Sequence, residues 1–206
     1  MDGQAGSVNF FNSKAPTWDE TNRYPMDKIE AMLGMLGIKQ SDTVLDAGTG
    51  TGILLPLLMR LTEAGNITAI DFAEKMIETA QRKLAGMAAF PSIHFIIGDI
   101  LDYPFASGVF DHIICYSVFP HFEDKSKAIK KLASALKPGG LLSVLHSAPR
   151  SRINGTHVHI RSHGINSDYL LPVREYFPLL NRNGLATEHA IDDDEMFMLC
   201  GRKQVL

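Results

Sequence analysis

Cysteine is scarce in this chain. Two occur in 206 residues, Cys115 and Cys200, each inside an apolar run. That leaves no disulfide framework and no cysteine-based zinc site to expect. An excess of basic charge is also missing. Twenty Lys and Arg stand against 23 Asp and Glu, a net charge of −3 and a pI near 6.2. A general nucleic-acid binder would carry a basic stripe, so that class is disfavoured. No apolar run approaches the roughly 18 residues of a membrane span. The opening Met1-Asp2-Gly3-Gln4 has neither the basic start nor the apolar core of a secretory signal. Repeats, low-complexity tracts and a Pro/Gly/Ser-rich linker are absent too. What remains is a 45% hydrophobic chain of a size that suits one domain over residues 1–206, reduced and cytoplasmic.

The pattern that is present alternates strand and helix. Residues 42–46, 66–71, 93–97, 109–116 and 141–146 are short apolar runs bounded by polar residues or glycine. Strands covered on both faces read this way. Between them, Phe72, Met76, Ile77, Ala80 and Leu84 form one helical stripe, and Ala128, Ile129, Leu132 and Leu136 form another. Lys137-Pro138-Gly139-Gly140 predicts the stop of the second. Ile29, Met32, Leu33 and Leu36 mark a helix ahead of the first strand, closed near Gly37. Such alternation demands a parallel sheet with right-handed crossovers. Near the end, Pro172 to Asn181 reads as a last helix. Leu185 to Ile191 and Glu195 to Gly201 follow as strands joined by Asp192-Asp193-Asp194, an antiparallel edge hairpin. Residues 147–169 fit neither period and predict a long polar excursion, of the kind that forms lids or binding loops.

The most informative segment is Val44-Leu45-Asp46-Ala47-Gly48-Thr49-Gly50-Thr51-Gly52, which ends a strand and opens a helix at 53–61. Glycines there permit a sharp turn and close approach of a ligand to the main chain. Asp71 ends the next strand, where a carboxylate accepts from both ribose hydroxyls. A tight turn alone would explain the glycines, but not the acid at the second strand. The spacing is G-x-G-x-G, not the G-x-G-x-x-G of dinucleotide sites, and Ile53 stands where a dinucleotide loop has its last glycine. The preceding acid, Asp46, would repel a pyrophosphate and suits a ligand with a cationic amino-acid end.

On these residues the sequence resembles the class I S-adenosylmethionine-dependent methyltransferases. Asp46 to Gly52 match the family's first motif, Asp71-Phe72-Ala73 the second, and Gly98-Asp99-Ile100 the acid that contacts the adenine amino group. Val109 to Ile114 match the fourth strand and Leu136 to Gly140 the turn before the fifth. Phe11 to Asp19 resemble the opening segment of the ubiquinone/menaquinone-type subgroup, which covers the cofactor. The resemblance implies a Rossmann-like, doubly wound α/β sheet of seven strands, mostly parallel, with an antiparallel C-terminal edge hairpin. It implies S-adenosylmethionine as cofactor, held by Asp46, Gly48, Thr49, Gly50, Gly52, Asp71, Phe72, Met76, Asp99, Ile100 and Tyr116. Residues 1–37 become an N-terminal cap segment and helix, and 147–169 a substrate-side excursion.

Methyl transfer from a sulfonium needs alignment and a dry site, and a base only if the acceptor arrives protonated. His121 and His146, after the fourth and fifth strands, are the candidate catalytic residues. Trp18, Ser117, Arg150, His157 and His159 join them on the expected substrate side. The arginines of the excursion would suit an acceptor carboxylate or phosphate. His157 and His159 are spaced as a metal pair on a strand would be, but no acid or cysteine completes the set, and no metal is expected. The acceptor is expected to be a small molecule. Rival readings are a non-catalytic cofactor-binding regulatory subunit and a nicotinamide-dependent oxidoreductase. A monomer and a homodimer both remain open.

Overall fold

The computed structural model describes residues 2–87, 90–161 and 167–205, and the side chains within them except those of 2–4, 91 and 158–161. Its centre is a seven-stranded sheet of order β3-β2-β1-β4-β5-β7-β6. These are β1 (Val44–Ala47), β2 (Ile67–Asp71), β3 (His94–Ile97), β4 (Phe110–Tyr116), β5 (Leu136–His146), β6 (Leu185–Asp192) and β7 (Phe197–Lys203). The first five are parallel; β7 runs antiparallel to both β5 and β6.

Alternation along the strands assigns residues to two cores. Leu45, Ile113 and Cys115 face one side, with Ala128, Ile129 and Leu132 of α6 (Lys125–Ala135) and Leu180 of α8 (Phe177–Arg182). Val44, Ile114 and Tyr116 face the other, with Ile29, Met32 and Leu33 of α3 (Met26–Gly34) and Leu55 and Leu58 of α4 (Leu55–Leu61). A sheet covered on both faces accounts for strands that are apolar throughout. The free thiols of Cys115 and Cys200 lie buried on opposite faces, where burial raises both pKa values. Chain order reverses between β1 and β4, and the crevice beyond their carboxyl ends is where such sheets bind ligands.

Two expectations are corrected, and one segment gains a structure. The excursion at 147–169 contains a twelve-residue helix, α7 (Arg150–Arg161). Asn154, Gly155 and Thr156 are weak helix formers, and Ile153 and His157, one turn apart, are its buried positions; a histidine there breaks the apolar stripe. The opening segment, for which the sequence predicts no secondary structure, is helical: α1 (Asp2–Lys14) leads through a short 3₁₀ turn into α2 (Trp18–Thr21). Its amphipathicity is negligible, so periodicity gave no sign of it. Finally, β5 runs through Lys137-Pro138-Gly139-Gly140 instead of starting after it, with a register irregularity opposite Phe110/His112.

Two contacts tie the N-terminal helices down. Asn12 accepts a hydrogen bond from the Lys75 backbone N–H at 2.9 Å. It thereby satisfies a donor in the first turn of α5 (Glu74–Leu84), whose own N-cap, Ala73, has no side-chain acceptor. Asp19 accepts from the Thr51 hydroxyl at 2.5 Å and from the Lys83 ammonium, and Lys83 also donates to the Thr51 carbonyl at 2.9 Å. The cap is thus pinned directly to the glycine loop.

Candidate active site

The glycine loop turns out of β1 with three glycines at positive φ, Gly48 (77°), Gly50 (54°) and Gly52 (77°). They serve different ends. A Cβ on Gly50 would meet nothing within 4 Å, so its backbone faces open space. A Cβ on Gly48 would lie 2.4 Å from Val118 Cγ2, so here the loop needs glycine to pass Val118. Gly52 packs against Ala80 of α5 and Leu55 of α4, each 3.0 Å from a built Cβ. Gly52 was expected to touch cofactor, but it does not line the cavity; it lets α4 and α5 approach.

Asp46 also departs from expectation. It is 1% exposed and accepts from the Thr49 hydroxyl at 2.7 Å. It braces the loop from behind and does not line the cavity. Burial raises its pKa to about 7, with Asp71 adding to the rise. The charge argument from Asp46 against a pyrophosphate therefore loses its direct contact. The cavity walls replace it: no lysine or arginine lines either lobe among the described residues.

Those lobes share Gly48, Asp71, Phe72, Val118 and His121. Asp71 stands at the junction. Its two carboxylate oxygens accept from the backbone N–H groups of Gly50 and Ala73, both at 2.9 Å. Those bonds fix the carboxylate and leave lone pairs for a diol. Burial lifts its pKa to about 6 against the pull of the backbone N–H groups. The second lobe is bounded by Asp99 and Ile100; Asp99 accepts from Leu101 N–H at 2.6 Å in a tight turn after β3. The first lobe is lined by Thr49, Met76, Tyr116 and Ser117, with Phe11, Trp18 and Tyr24 from the cap side. Ser117 has φ 55°, the only non-glycine residue at positive φ among those described, which marks backbone strain at the end of β4. An open main chain at Gly50, a held carboxylate at Asp71, a second acid at Asp99 and walls without cations fit a nucleoside with an amino-acid end and no phosphate.

A model of the methyltransferase domain matches residues 44–140, the stretch from β1 into β5. The match takes in the Asp46 to Gly52 loop and Asp71, the residues on which the chain resembles the class I S-adenosylmethionine-dependent methyltransferases. The chain is 31% identical over 147 residues to the ubiquinone/menaquinone biosynthesis C-methyltransferase UbiE of Geotalea daltonii, covering 68% of the chain and 63% of UbiE. It is 34% identical over 111 residues to the demethylmenaquinone methyltransferase of Thermus thermophilus, covering 54% of the chain and 50% of that enzyme. The chain thus spans roughly half to under two thirds of the length of these relatives. In fold it is similar to geranyl diphosphate C-methyltransferase from Streptomyces coelicolor A3(2), solved with Mg²⁺, geranyl-S-thiolodiphosphate and S-adenosyl-L-homocysteine (TM-score 0.75, 13% identity, 98% of each chain). A SAM-dependent methyltransferase from Aquifex aeolicus is similar too (TM-score 0.69, 19% identity, 93% of this chain and 97% of that one).

The residues expected on the substrate side divide. Trp18, Ser117 and His121 line the first lobe. His146, at the end of β5, is 3% exposed and His157 is 6% exposed; both sit behind the wall. Arg150 bonds Asp192 at 2.8 and 3.1 Å, clamping the start of α7 to the end of β6, and does not line the cavity. The side chains of His159 and Arg161, and all of His163, lie outside the described residues. No metal-binding cluster occurs among the described residues, and no described helix is long and apolar enough to cross a membrane. Tyr24 and Val118 are wall residues that no sequence signal marked, and Phe11 comes from the opening segment expected to cover the cofactor.

Asp46 yields a pH prediction. Its carboxyl ionises near 4 when unfolded and near 7 when folded, so the folded state holds the proton more tightly between those values. Stability from this group is therefore lost as pH rises from 4 to 7. Burial of His146 and His157, which pulls their pKa values down to about 3 and 4, acts with the opposite sign below 6.5. Asp46→Asn removes only the first effect. Urea unfolding is expected to show the variant gaining on the wild type by about 1.4 kcal/mol per pH unit across that window. A constant difference from pH 4.5 to 7 would show that Asp46 ionises normally.

Proposed function

We propose that this protein transfers a methyl group from S-adenosylmethionine to a small-molecule acceptor held in the first lobe, beneath the N-terminal cap. The observation that carries this reading is the two-lobed cavity joined at Gly48 and Asp71. S-adenosylmethionine supplies a methyl group already activated on a sulfonium, suited to in-line displacement. Asp71 would hold the ribose hydroxyls, and Asp99 with Ile100 the adenine end. Gly48, Thr49 and Gly50 would carry the amino-acid end along the loop. The aromatic walls from Phe11, Trp18 and Tyr116 exclude water from the reacting centre and orient the acceptor. His121, on the wall of both lobes, is the group placed to take a proton from an acceptor that arrives protonated. His146, buried behind it, is not in contact with the acceptor in this reading.

The size of the acceptor follows from the cap. Phe11 and Trp18 wall the first lobe, and Asn12 and Asp19 tie their helices to α5 and the glycine loop, which suits a metabolite better than a folded chain or duplex. Incubation with methyl-labelled S-adenosylmethionine and a metabolite extract is expected to place label in a low-mass product. Label appearing only in added protein or nucleic acid would overturn the reading.

A further inference from the structure

Three histidines from three parts of the chain converge beside the cavity. His121 comes from the 3₁₀ turn after β4 (Phe119–His121), His146 from the end of β5 and His157 from α7. The His121 and His157 rings lie 4.8 Å apart between centroids, at 63° to each other. The Ser167 hydroxyl is hydrogen-bonded to His157 Nδ1, which fixes that ring's orientation from the far side. His146 is 3% exposed, its Nε2 has no hydrogen-bond partner among the described residues, and it lies near enough to feel charge on both other rings. Burying two imidazoles costs polar solvation, and ordinary packing would be met more cheaply by leucine or phenylalanine.

The surroundings limit the charge this group can hold. Lys125 of α6 raises the cost of protonating His157. That ammonium is itself paired with Asp168 at 2.9 Å. Glu123 borders the second lobe beside His121. From α1 the neighbour is the uncharged Phe11 ring, 5.2 Å from His121. Burial favours neutral rings at His146 and His157, and like charges this close disfavour a second proton. His146 and His157 are therefore held neutral, and a proton taken up by the group resides on His121.

Building on the methyltransferase reading, we propose that His121, His157 and His146 form a single proton-accepting unit for the acceptor, with His121 as its cavity-facing member. The acceptor's O–H or N–H bond breaks, its electron pair stays on the acceptor atom, and the proton bonds to an imidazole nitrogen of His121. His157, held by Ser167, and His146 are positioning residues: they set the orientation and proton affinity of His121 without touching the acceptor. The proton then leaves to solvent when the site opens.

The test is an NMR titration of the histidine Cε1–H signals in ¹³C-labelled protein saturated with S-adenosylhomocysteine, from pH 4.5 to 8.5. The expected result is one step in that range, the titration of His121, reported also by smaller shifts of the His157 and His146 signals at the same midpoint. His157→Gln should move the His121 midpoint by at least about half a unit, roughly threefold in proton affinity. Ser167→Ala, which leaves the fold least disturbed, should move it in the same experiment and decides the matter if His157→Gln does not fold. A His121 midpoint unchanged in every folded variant would overturn the proposal. Calorimetry with S-adenosylhomocysteine separates the two readings. A wild type that binds none sinks the methyltransferase reading, while the coupling remains measurable in the free protein.

Discussion

Asp71→Ala is expected to weaken binding of S-adenosylhomocysteine ten- to hundredfold. The native carboxylate is 8% exposed and already oriented by Gly50 and Ala73, so little ordering remains to be done when a ribose arrives. A hydrogen bond to an ionised group contributes about 1.5–3 kcal/mol, which corresponds to that change in Kd. Alanine also strands two backbone N–H groups, so the thermal midpoint should fall as well. Asp71→Asn keeps one acceptor oxygen and should lie between. With the carboxyl raised to about 6, affinity in the wild type should decline as pH drops below 6, because the protonated group has lost an acceptor. Calorimetry at pH 5, 6 and 7.5 checks this. Equal affinity in folded Asp71→Ala and wild type would remove Asp71 from the cofactor site.

The second large effect is expected at Gly48. Alanine there must hold φ 77°, which costs a residue with a Cβ about 1–2 kcal/mol. Its Cβ would also sit 2.4 Å from Val118 Cγ2 and 2.8 Å from Val118 Cβ. Because Val118 borders both lobes, the clash displaces it into the cavity. Gly48→Ala should lower stability by about 3 kcal/mol and abolish measurable binding of S-adenosylhomocysteine. Gly50→Ala, with similar backbone strain but open space around the new carbon, should cost less. The double variant Gly48→Ala/Val118→Ala should recover part of the stability. Were the double variant no better than Gly48→Ala, strain alone and not the contact with Val118 would explain the loss.

These two residues also show how far the sequence could be read. The parallel strands were legible because each is a short apolar run bounded by polar residues or glycine, and the Asp46 to Gly52 loop with Asp71 was legible because a turn and a held acid need those residue types. Within the loop, glycine's two uses look alike on paper. Gly50 opens the main chain to the cavity whereas Gly52 serves helix packing, and only the neighbours Ala80 and Leu55 tell them apart. Asp46 is a ligand candidate by its motif and charge, and His146 by its place at a strand end, yet both side chains turn into protein. Arg150 looked like a free cation until Asp192, 42 residues later, was brought beside it. Helices α1 and α7 escaped notice because neither has an apolar stripe. Tyr24 and Val118 carry no spacing signature, since apolar and aromatic residues become a wall only when separate elements meet.

Trp18 is the chain's single tryptophan. It sits in the first-lobe wall, its indole N–H donates to the Tyr24 hydroxyl at 2.7 Å, and its ring lies 5.7 Å from that of Phe11. The protein therefore carries one intrinsic fluorophore, located at the mouth of its own site. Its emission maximum and quenching by iodide would follow the opening and closing of the cap in real time. Stopped-flow mixing could then resolve cofactor entry from acceptor entry without any attached dye.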